Sequence, residues 1–172
     1  MLILVFGLPG AGKSYFARHL CKEIDAVLLN TDMIREELGI KGKYDEDTKQ
    51  HVYDEIRTRT AKYLKKGKDI IVDGTFHKIE RREDFFRLAA GMKTEIYYIE
   101  IRASEKTIKQ RLTENRKYSE ADYNVYREIK KEFEAKPGCH LVLWSGIEST
   151  GKMISKAKRY IYGHQADPCP DK

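Results

Sequence analysis

A glycine-rich run near the start of the chain has the residue types and spacing of a phosphate-binding loop. Residues 7–14 read GLPGAGKS and fit the pattern G-x-x-x-x-G-K-[ST]. Glycines let the backbone curl so that successive N–H groups point at phosphate oxygens. In such a loop Lys13 reaches the β- and γ-phosphates, and the Ser14 hydroxyl holds Mg²⁺. The run therefore predicts a site for ATP and Mg²⁺.

The residues on either side of this loop favour the same interpretation over an ordinary glycine-rich turn. Residues 2–6 are an apolar run of strand length, and Phe16, Leu20 and Ile24 follow at helical spacing. A dinucleotide-binding fingerprint does not fit, because Tyr15 occupies the position of its third glycine. We expect nucleotide contacts from nine consecutive residues: Gly7, Leu8, Pro9, Gly10, Ala11, Gly12, Lys13, Ser14 and Tyr15.

Short apolar runs alternate with helical patterns along the rest of the chain. The predicted strands are residues 2–6, 26–29, 69–73, 94–101 and 140–144. The predicted helices start near residue 12 and then cover about 33–38, 48–66, 79–90, 104–113, 119–136 and 150–162. This alternation is typical of a parallel sheet covered by helices on both faces. Ligands of such sheets bind beyond the carboxyl ends of the strands, where the polar residues that follow each strand should meet.

Asp73 ends the third predicted strand and could hold Mg²⁺ through water. The alternative is an aspartate that only stabilises the following turn. The next residue is Gly74, whereas many P-loop hydrolases have a water-activating glutamate there. This difference favours transfer of a phosphoryl group to a bound hydroxyl over hydrolysis of ATP.

Asp32 and Arg35 lie one turn apart at the start of the second predicted helix. A carboxylate beside the donor phosphate could accept the proton of an attacking hydroxyl, and the arginine could bind the acceptor. Equally, the two residues could be a helix-start aspartate and its i,i+3 ion-pair partner. The spacing alone leaves both interpretations open.

Basic residues at and beyond the end of the fifth predicted helix could close over the donor as a lid. They are Arg111, Arg116 and Lys117, and the alternative is a solvated charged face. Arg81, Arg82 and His77 follow the third strand and could touch an acceptor. His77 is interpreted as an exposed turn residue.

Length and charge are consistent with these motifs but do not identify a substrate. The 172 residues suit a single domain, predicted as residues 1–163 with a tail at 164–172. Lys and Arg outnumber Asp and Glu by 33 to 27, which favours acidic ligands without separating ATP from a nucleic acid. Three scattered cysteines indicate reduced thiols, and residues 1–6 resemble neither a leader nor a membrane span. We therefore expect a cytoplasmic protein without a membrane partner.

Five segments together resemble a known group of enzymes. The runs GLPGAGKS, TDMIREEL, IVDGTF, RLTENRK and SEADYNVY occur in order within residues 1–145. They resemble the small P-loop kinases of the predicted-kinase (AAA-domain ATP-binding) group, and the kinase domain of polynucleotide 5′-hydroxyl kinases is similar. More distant resemblances are to zeta toxins, chloramphenicol phosphotransferase, gluconate kinase and seryl-tRNA kinase.

The resemblance implies a three-layer P-loop NTPase fold with a five-stranded parallel sheet in the order 2-3-1-4-5 and a short lid. It implies Lys13 and Ser14 at the phosphates and metal, Asp32 as general base, Arg35 near the acceptor, and Arg116 or Arg111 as the lid arginine. The implied activity is transfer of the γ-phosphoryl group of ATP to a hydroxyl, either a polynucleotide 5′-OH or a small molecule. The alternatives are an ATP-binding switch with little transfer and a toxin-like kinase of a sugar nucleotide.

Overall fold

Five parallel strands form the centre of the protein in the order β2-β3-β1-β4-β5. The structure is a computed structural model, and it describes residues 1–43, 45–114 and 123–163. The strands are β1 (Leu2–Phe6), β2 (Val27–Asn30), β3 (Ile70–Asp73), β4 (Ile96–Arg102) and β5 (Leu141–Trp144). The predicted fold and strand order are confirmed.

The helices of the described residues alternate with these strands. They are α1 (Lys13–Ile24), α2 (Thr31–Glu37), α3 (Glu46–Lys65), α4 (Ile79–Gly91), α5 (Glu105–Glu114), α6 (Tyr123–Glu132) and α7 (Thr150–Tyr162). Within the described ranges, no helix is both long and apolar enough to cross a membrane. The predicted lid residues Arg116 and Lys117 and the predicted tail at 164–172 lie outside the described residues.

The sheet separates two apolar cores, because successive side chains of a strand point to opposite faces. Ile3 and Val5 of β1 pack with α1 and α7, whereas Leu2, Leu4 and Phe6 pack with α2, α3 and α4. All five side chains of β1 are fully buried. This position explains why the strand reads as a continuous apolar run. A smaller cluster joins α5 and α6 through Ile108, Leu112 and Tyr126.

Element boundaries differ from the sequence-based ones by a few residues. α3 begins at Glu46 because the Asp45 side chain accepts a hydrogen bond from the Thr48 N–H at 2.9 Å and caps the helix there. β4 begins at Ile96, two residues after the predicted start, and extends to Arg102. β5 pairs with the last part of β4, from Ile99 to Arg102. Strand pairing, which local sequence does not reveal, sets the limits of β4 and β5.

Candidate active site

The glycine-rich loop follows the carboxyl end of β1, the central strand, and leads directly into α1. Gly7 has a φ of +139°, and a Cβ there would lie 2.3 Å from the Ile101 carbonyl oxygen. Gly12 has a φ of +94°, and α1 begins at the next residue. Glycine is needed at both positions for conformation and for close approach. The N-terminus of α1 therefore opens into the loop, as anion-binding helices do.

Arg111 and Ser145 hold the outer side of the loop from two other elements. The Arg111 Nη1 donates to the Gly10 carbonyl at 3.2 Å and to the Ser145 Oγ at 2.9 Å. The Ser145 hydroxyl in turn donates to the Ala11 carbonyl. These bonds fix the loop against α5 and the end of β5. Arg111 thus lies against the glycine-rich loop, and its predicted role at the donor stays a prediction.

Lys13 and Asp73 are buried beneath the loop, where water does not stabilise their charges. Burial lowers the pKa of Lys13, and the Asp73 and Asp32 carboxylates oppose this effect. Burial also raises the pKa of Asp73, against the influence of Lys13 and of hydrogen bonds from Ser14 and Asn30. The Lys13 ammonium donates to the Leu8 carbonyl at 2.9 Å. A ligand that brings phosphate to Lys13 and a cation to Asp73 would stabilise both charged forms.

Asn30 links these groups to α2. Its Nδ2 donates to the Asp73 Oδ2, and it lies 3.3 Å from the Ser14 Oγ. Its Oδ1 accepts from the backbone N–H groups of Asp32 and Met33 at 2.9 and 3.0 Å and so caps the helix. One side chain therefore places the start of α2 relative to Ser14 and Asp73.

Ser14 and Asp73 form a corner of the site whose chemistry suits Mg²⁺. The Asp73 Oδ1 is buried without a hydrogen-bond partner among the described residues. The Ser14 hydroxyl shares with Asp73 the contact to Asn30. Magnesium favours a few protein oxygens completed by water and phosphate. Consistent with that, no group of three His, Cys, Asp or Glu side chains in the described ranges could form an all-protein metal site. Ser14 and Asp73 are the residues that would hold the ion.

Asp32 and Arg35 lie on the other side of this corner, on α2. The Arg35 Nη1 is 3.8 Å from the Asp32 Oδ1, and 61% of the Asp32 side chain is exposed. The Arg35 side chain is buried, and its Nε donates to the Lys43 carbonyl at 3.2 Å. The i,i+3 pair considered from the sequence is therefore present. The side chain that caps α2 is that of Asn30, and Asp32 borders the open space beside the loop.

A cleft of about 900 Å³ runs along this edge of the sheet from the loop to α6. The predicted site residues that line it are Pro9, Gly10, Gly12, Lys13, Ser14, Tyr15, Asp32, Arg35, Asp73 and Arg111. Gly7, Leu8 and Ala11 do not line the cleft, because they form the back of the loop: Gly7 packs on β4, and the Leu8 and Ala11 carbonyls accept internal bonds. Arg116 lies outside the described residues.

The structure corrects two expectations for the residues after β3. His77 is not an exposed turn residue, because only 18% of its side chain is exposed and it lines the cleft. Burial and the nearby Lys78 lower the pKa of His77 from its usual value, which favours the neutral imidazole. Arg82 does not face an acceptor, since it is buried and donates to the Phe76 and Glu134 carbonyls. The position of both residues after β3 indicated a place near the site. Nothing in the sequence indicated the burial of His77 or the hydrogen bonds of Arg82.

Other cleft residues were not predicted as site residues. Lys49, Val52 and Tyr53 come from α3, and Gly146 and Glu148 come from the turn before α7. α6 adds Val125, Glu128, Ile129 and Glu132. The periodicity of α3 and α6 shows which residues share a face, but it does not show that this face extends beyond the core into a cleft.

Comparison with known proteins shows the family of this chain. The chain belongs to the AAA domain family, which matches residues 2–136. It is 30% identical over 108 residues to an L-seryl-tRNA(Sec) kinase of Methanococcus maripaludis. That alignment includes 60% of this chain but only 41% of the relative. The chain thus spans less than half the length of this relative.

Solved structures share the fold at low sequence identity. A kinase from Chloroflexus aurantiacus, described as putative, has a TM-score of 0.77 at 16% identity and covers 94% of this chain and 96% of its own. The APS kinase CysC of Mycobacterium tuberculosis, solved in complex with AMPPNP and APS, has a TM-score of 0.71 at 14% identity, with coverages of 91% and 94%. The fold is therefore that of P-loop kinases. The specific resemblance to polynucleotide kinases stays a prediction.

Proposed function

We propose that the protein is an ATP- and Mg²⁺-dependent phosphotransferase that transfers the γ-phosphoryl group to an acceptor hydroxyl. One observation supports this most directly. A P-loop lysine, a buried carboxylate with an unpartnered oxygen and a separate, open carboxylate on α2 all line one cleft. Hydrolysis or simple nucleotide binding would not require the third group. The family membership and the kinases among the relatives are consistent with this proposal.

Each part of the cleft has a role in this reaction. Loop N–H groups and Lys13 bind the phosphates, and Arg111 and the β5–α7 turn border the nucleoside end. Ser14 and Asp73 would hold a magnesium ion, which would supply positive charge against the phosphates. Asp32 accepts the proton of the acceptor hydroxyl while the hydroxyl oxygen forms a bond to the γ-phosphorus. The bond from phosphorus to the β,γ-bridging oxygen breaks, and ADP leaves.

The acceptor end of the cleft is bordered by Arg35, Tyr53, His77 and residues of α6. A polynucleotide 5′-OH and a small hydroxyl compound remain the two candidate acceptors. The seryl-tRNA(Sec) kinase relative adds a serine hydroxyl carried by a tRNA to the panel worth testing. Arg116, which lies outside the described residues, is proposed as a lid arginine, with Arg111 as the alternative.

The substitution Asp32→Asn separates a kinase from a nucleotide switch. If Asp32 is the base, transfer should fall about 10²–10⁴-fold while ATP affinity stays nearly constant. Labelled γ-phosphate transfer from ATP would be measured against 5′-OH DNA and RNA oligonucleotides and small alcohols, with ATP binding titrated separately. Asp45→Asn is the matched control, because Asp45 also stands at the start of a helix but does not itself line the cleft. Wild-type transfer by the Asp32 variant would contradict the assignment of the base.

A further inference from the structure

Arg82 is buried next to the proposed acceptor end of the cleft but does not line it. It is 2% exposed, and its guanidinium joins two chain segments that are far apart in sequence. The Nη1 donates to the Phe76 carbonyl at 2.6 Å, and the Nη2 donates to the Glu134 carbonyl at 2.6 Å. Phe76 belongs to the turn after β3, and Glu134 follows the end of α6 by two residues. Arg82 therefore bridges these two segments.

Glu134 completes the same junction from the other side. Its backbone N–H donates to the His77 carbonyl at 2.9 Å. Its Oε2 accepts the N–H of Ile79, the first residue of α4, at 2.6 Å. The segment after α6 is thus hydrogen-bonded to the turn at His77 and to the start of α4 at Ile79, in addition to its bond with Arg82. We call Arg82 and Glu134 the α6 clamp.

Only arginine has the shape for this position. Its planar fork can donate to two carbonyls at once, whereas a lysine ammonium is a point charge without that fixed geometry. The guanidinium also lies 5.1 Å from the centre of the Phe6 ring and 5.8 Å from that of Phe133. Phe6 is the last residue of β1, directly before the glycine-rich loop. The clamp therefore fixes the turn and α6 relative to the start of that loop.

The two segments held by the clamp both contribute side chains to the cleft. His77 comes from the turn and Glu132 from the last turn of α6, and the His77 Nε2 lies 3.7 Å from a Glu132 carboxylate oxygen. The donor loop, in contrast, is held by Arg111 and Ser145. The hydrogen bonds that hold the donor loop are thus different from those that hold the turn after β3 and the end of α6.

We propose that Arg82 is a positioning residue for the acceptor, and this inference rests on the phosphoryl transfer proposed above. It acts through the turn and α6, and it contacts neither nucleotide nor acceptor. Loosening the clamp should misplace the acceptor relative to the γ-phosphate while the nucleotide still binds. Small displacements of a bound reactant lower the rate of transfer strongly, because the reacting atoms must be aligned.

The test compares Arg82→Lys and Glu134→Ala with Arg87→Ala, a control on the same helix whose side chain is 61% exposed. Amide hydrogen exchange would be followed at Ile79 and at residue 134, the two N–H groups of the junction. We expect exchange at these amides to rise at least about tenfold in Arg82→Lys, because a hydrogen bond from a charged donor is lost. In Glu134→Ala the Ile79 amide should show the same rise, since it loses its acceptor. The control should match wild type.

Function would be measured as the affinity for a fluorescent ATP analogue and as kcat and acceptor KM with the acceptor that wild type labels best. The expected result is an ATP affinity within about twofold of wild type, with a higher acceptor KM or a lower kcat.

Unchanged exchange in both variants, or a loss of ATP affinity equal to the loss of transfer, would overturn the inference. If Arg82→Lys fails to fold, Arg82→Gln takes its place, because its amide can still donate to one of the two carbonyls. Glu134→Ala tests only the bond to the Ile79 N–H, since it keeps the backbone carbonyl that Arg82 binds. Absence of transfer by wild type would instead refute the proposed function, and the exchange and affinity data would still decide whether the clamp acts separately from the donor site.

Discussion

At the scale of single residues, Asn30 links Ser14 and Asp73, the proposed magnesium ligands, to α2, the helix that carries the proposed base. Its amide nitrogen serves Asp73, and its amide oxygen caps α2. An aspartate could cap the helix but would place a second carboxylate beside Asp73, and a serine is too short to serve both ends. Asparagine supplies a donor and an acceptor on one rigid group. The position of Asp32 relative to Ser14 and Asp73 therefore depends on this amide.

Removing the amide should cost more than an ordinary helix cap. Asn30→Ala removes the cap of α2 and also removes the Asn30 donor from the buried Asp73 Oδ2. Asp45→Ala removes only the cap of α3. We expect Asn30→Ala to lower the free energy of unfolding by about 1–3 kcal/mol more than Asp45→Ala does. Urea denaturation of both variants measures the difference. Equal losses would mean that the contact with Asp73 contributes nothing.

At the scale of elements, the end of β4 carries a buried charge between neighbouring segments. Glu100 is 5% exposed, and its carboxylate accepts two hydrogen bonds from Arg102, each at 2.8 Å. His140, directly before β5, lies 3.2 Å from the same carboxylate. Burial raises the pKa of Glu100, but the hydrogen bonds of His140 and Arg102 outweigh this and bring it to about 2. The carboxylate thus helps to hold the start of β5 against β4.

This depressed pKa predicts a loss of stability in acid. A group whose pKa is lower in the folded state stabilises the fold above its unfolded pKa, here about 4.5. That contribution disappears as the pH falls from about 4.5 towards 2. Glu100→Gln should therefore lower the unfolding temperature at pH 7 more than at pH 3. Glu83→Gln, on the exposed side of α4, is the control. The same loss at both pH values would contradict the prediction.

At the scale of the whole molecule, the cleft spans the carboxyl edge of the sheet from α2 to the turn before α7. A nucleotide bound there would contact the glycine-rich loop that follows β1. Binding to the folded state alone stabilises it by mass action, about 2.7 kcal/mol at a ligand concentration 100 times the Kd. Nucleotide binding should therefore be visible as a shift of global unfolding.

We expect AMPPNP with Mg²⁺ to raise the unfolding temperature of the wild-type protein. Lys13→Ala should lose most of this shift, because Lys13 neutralises phosphate charge at the bottom of the loop. Lys22→Ala, a substitution at the far end of α1, should keep it. Thermal unfolding with and without nucleotide measures all three proteins. A full shift in Lys13→Ala would contradict the P-loop assignment.

The sequence by itself determined the features that depend on neighbouring residues. The P-loop is contiguous, so spacing alone located Lys13 and Ser14, and the alternation of strands and helices indicated the parallel sheet. The strand order came from the resemblance to P-loop kinases and is confirmed. That Asp32 and Arg35 share one face of a helix followed from helical periodicity. The catalytic roles of these residues stay predictions.

Only the tertiary structure decided which distant residues share a hydrogen bond. Asn30 meets Asp73 across 43 positions, Arg82 meets Glu134 across 52, and Arg111 meets Gly10 across 101. Local sequence showed no sign of the Asn30 contact, and it indicated for Arg82 a contact with the acceptor, because a basic residue after a strand is common at such sites. Parallel strands bring their carboxyl ends to one edge wherever they lie in sequence. Which side chains then pair there depends on strand register and helix packing, and these are properties of the whole fold.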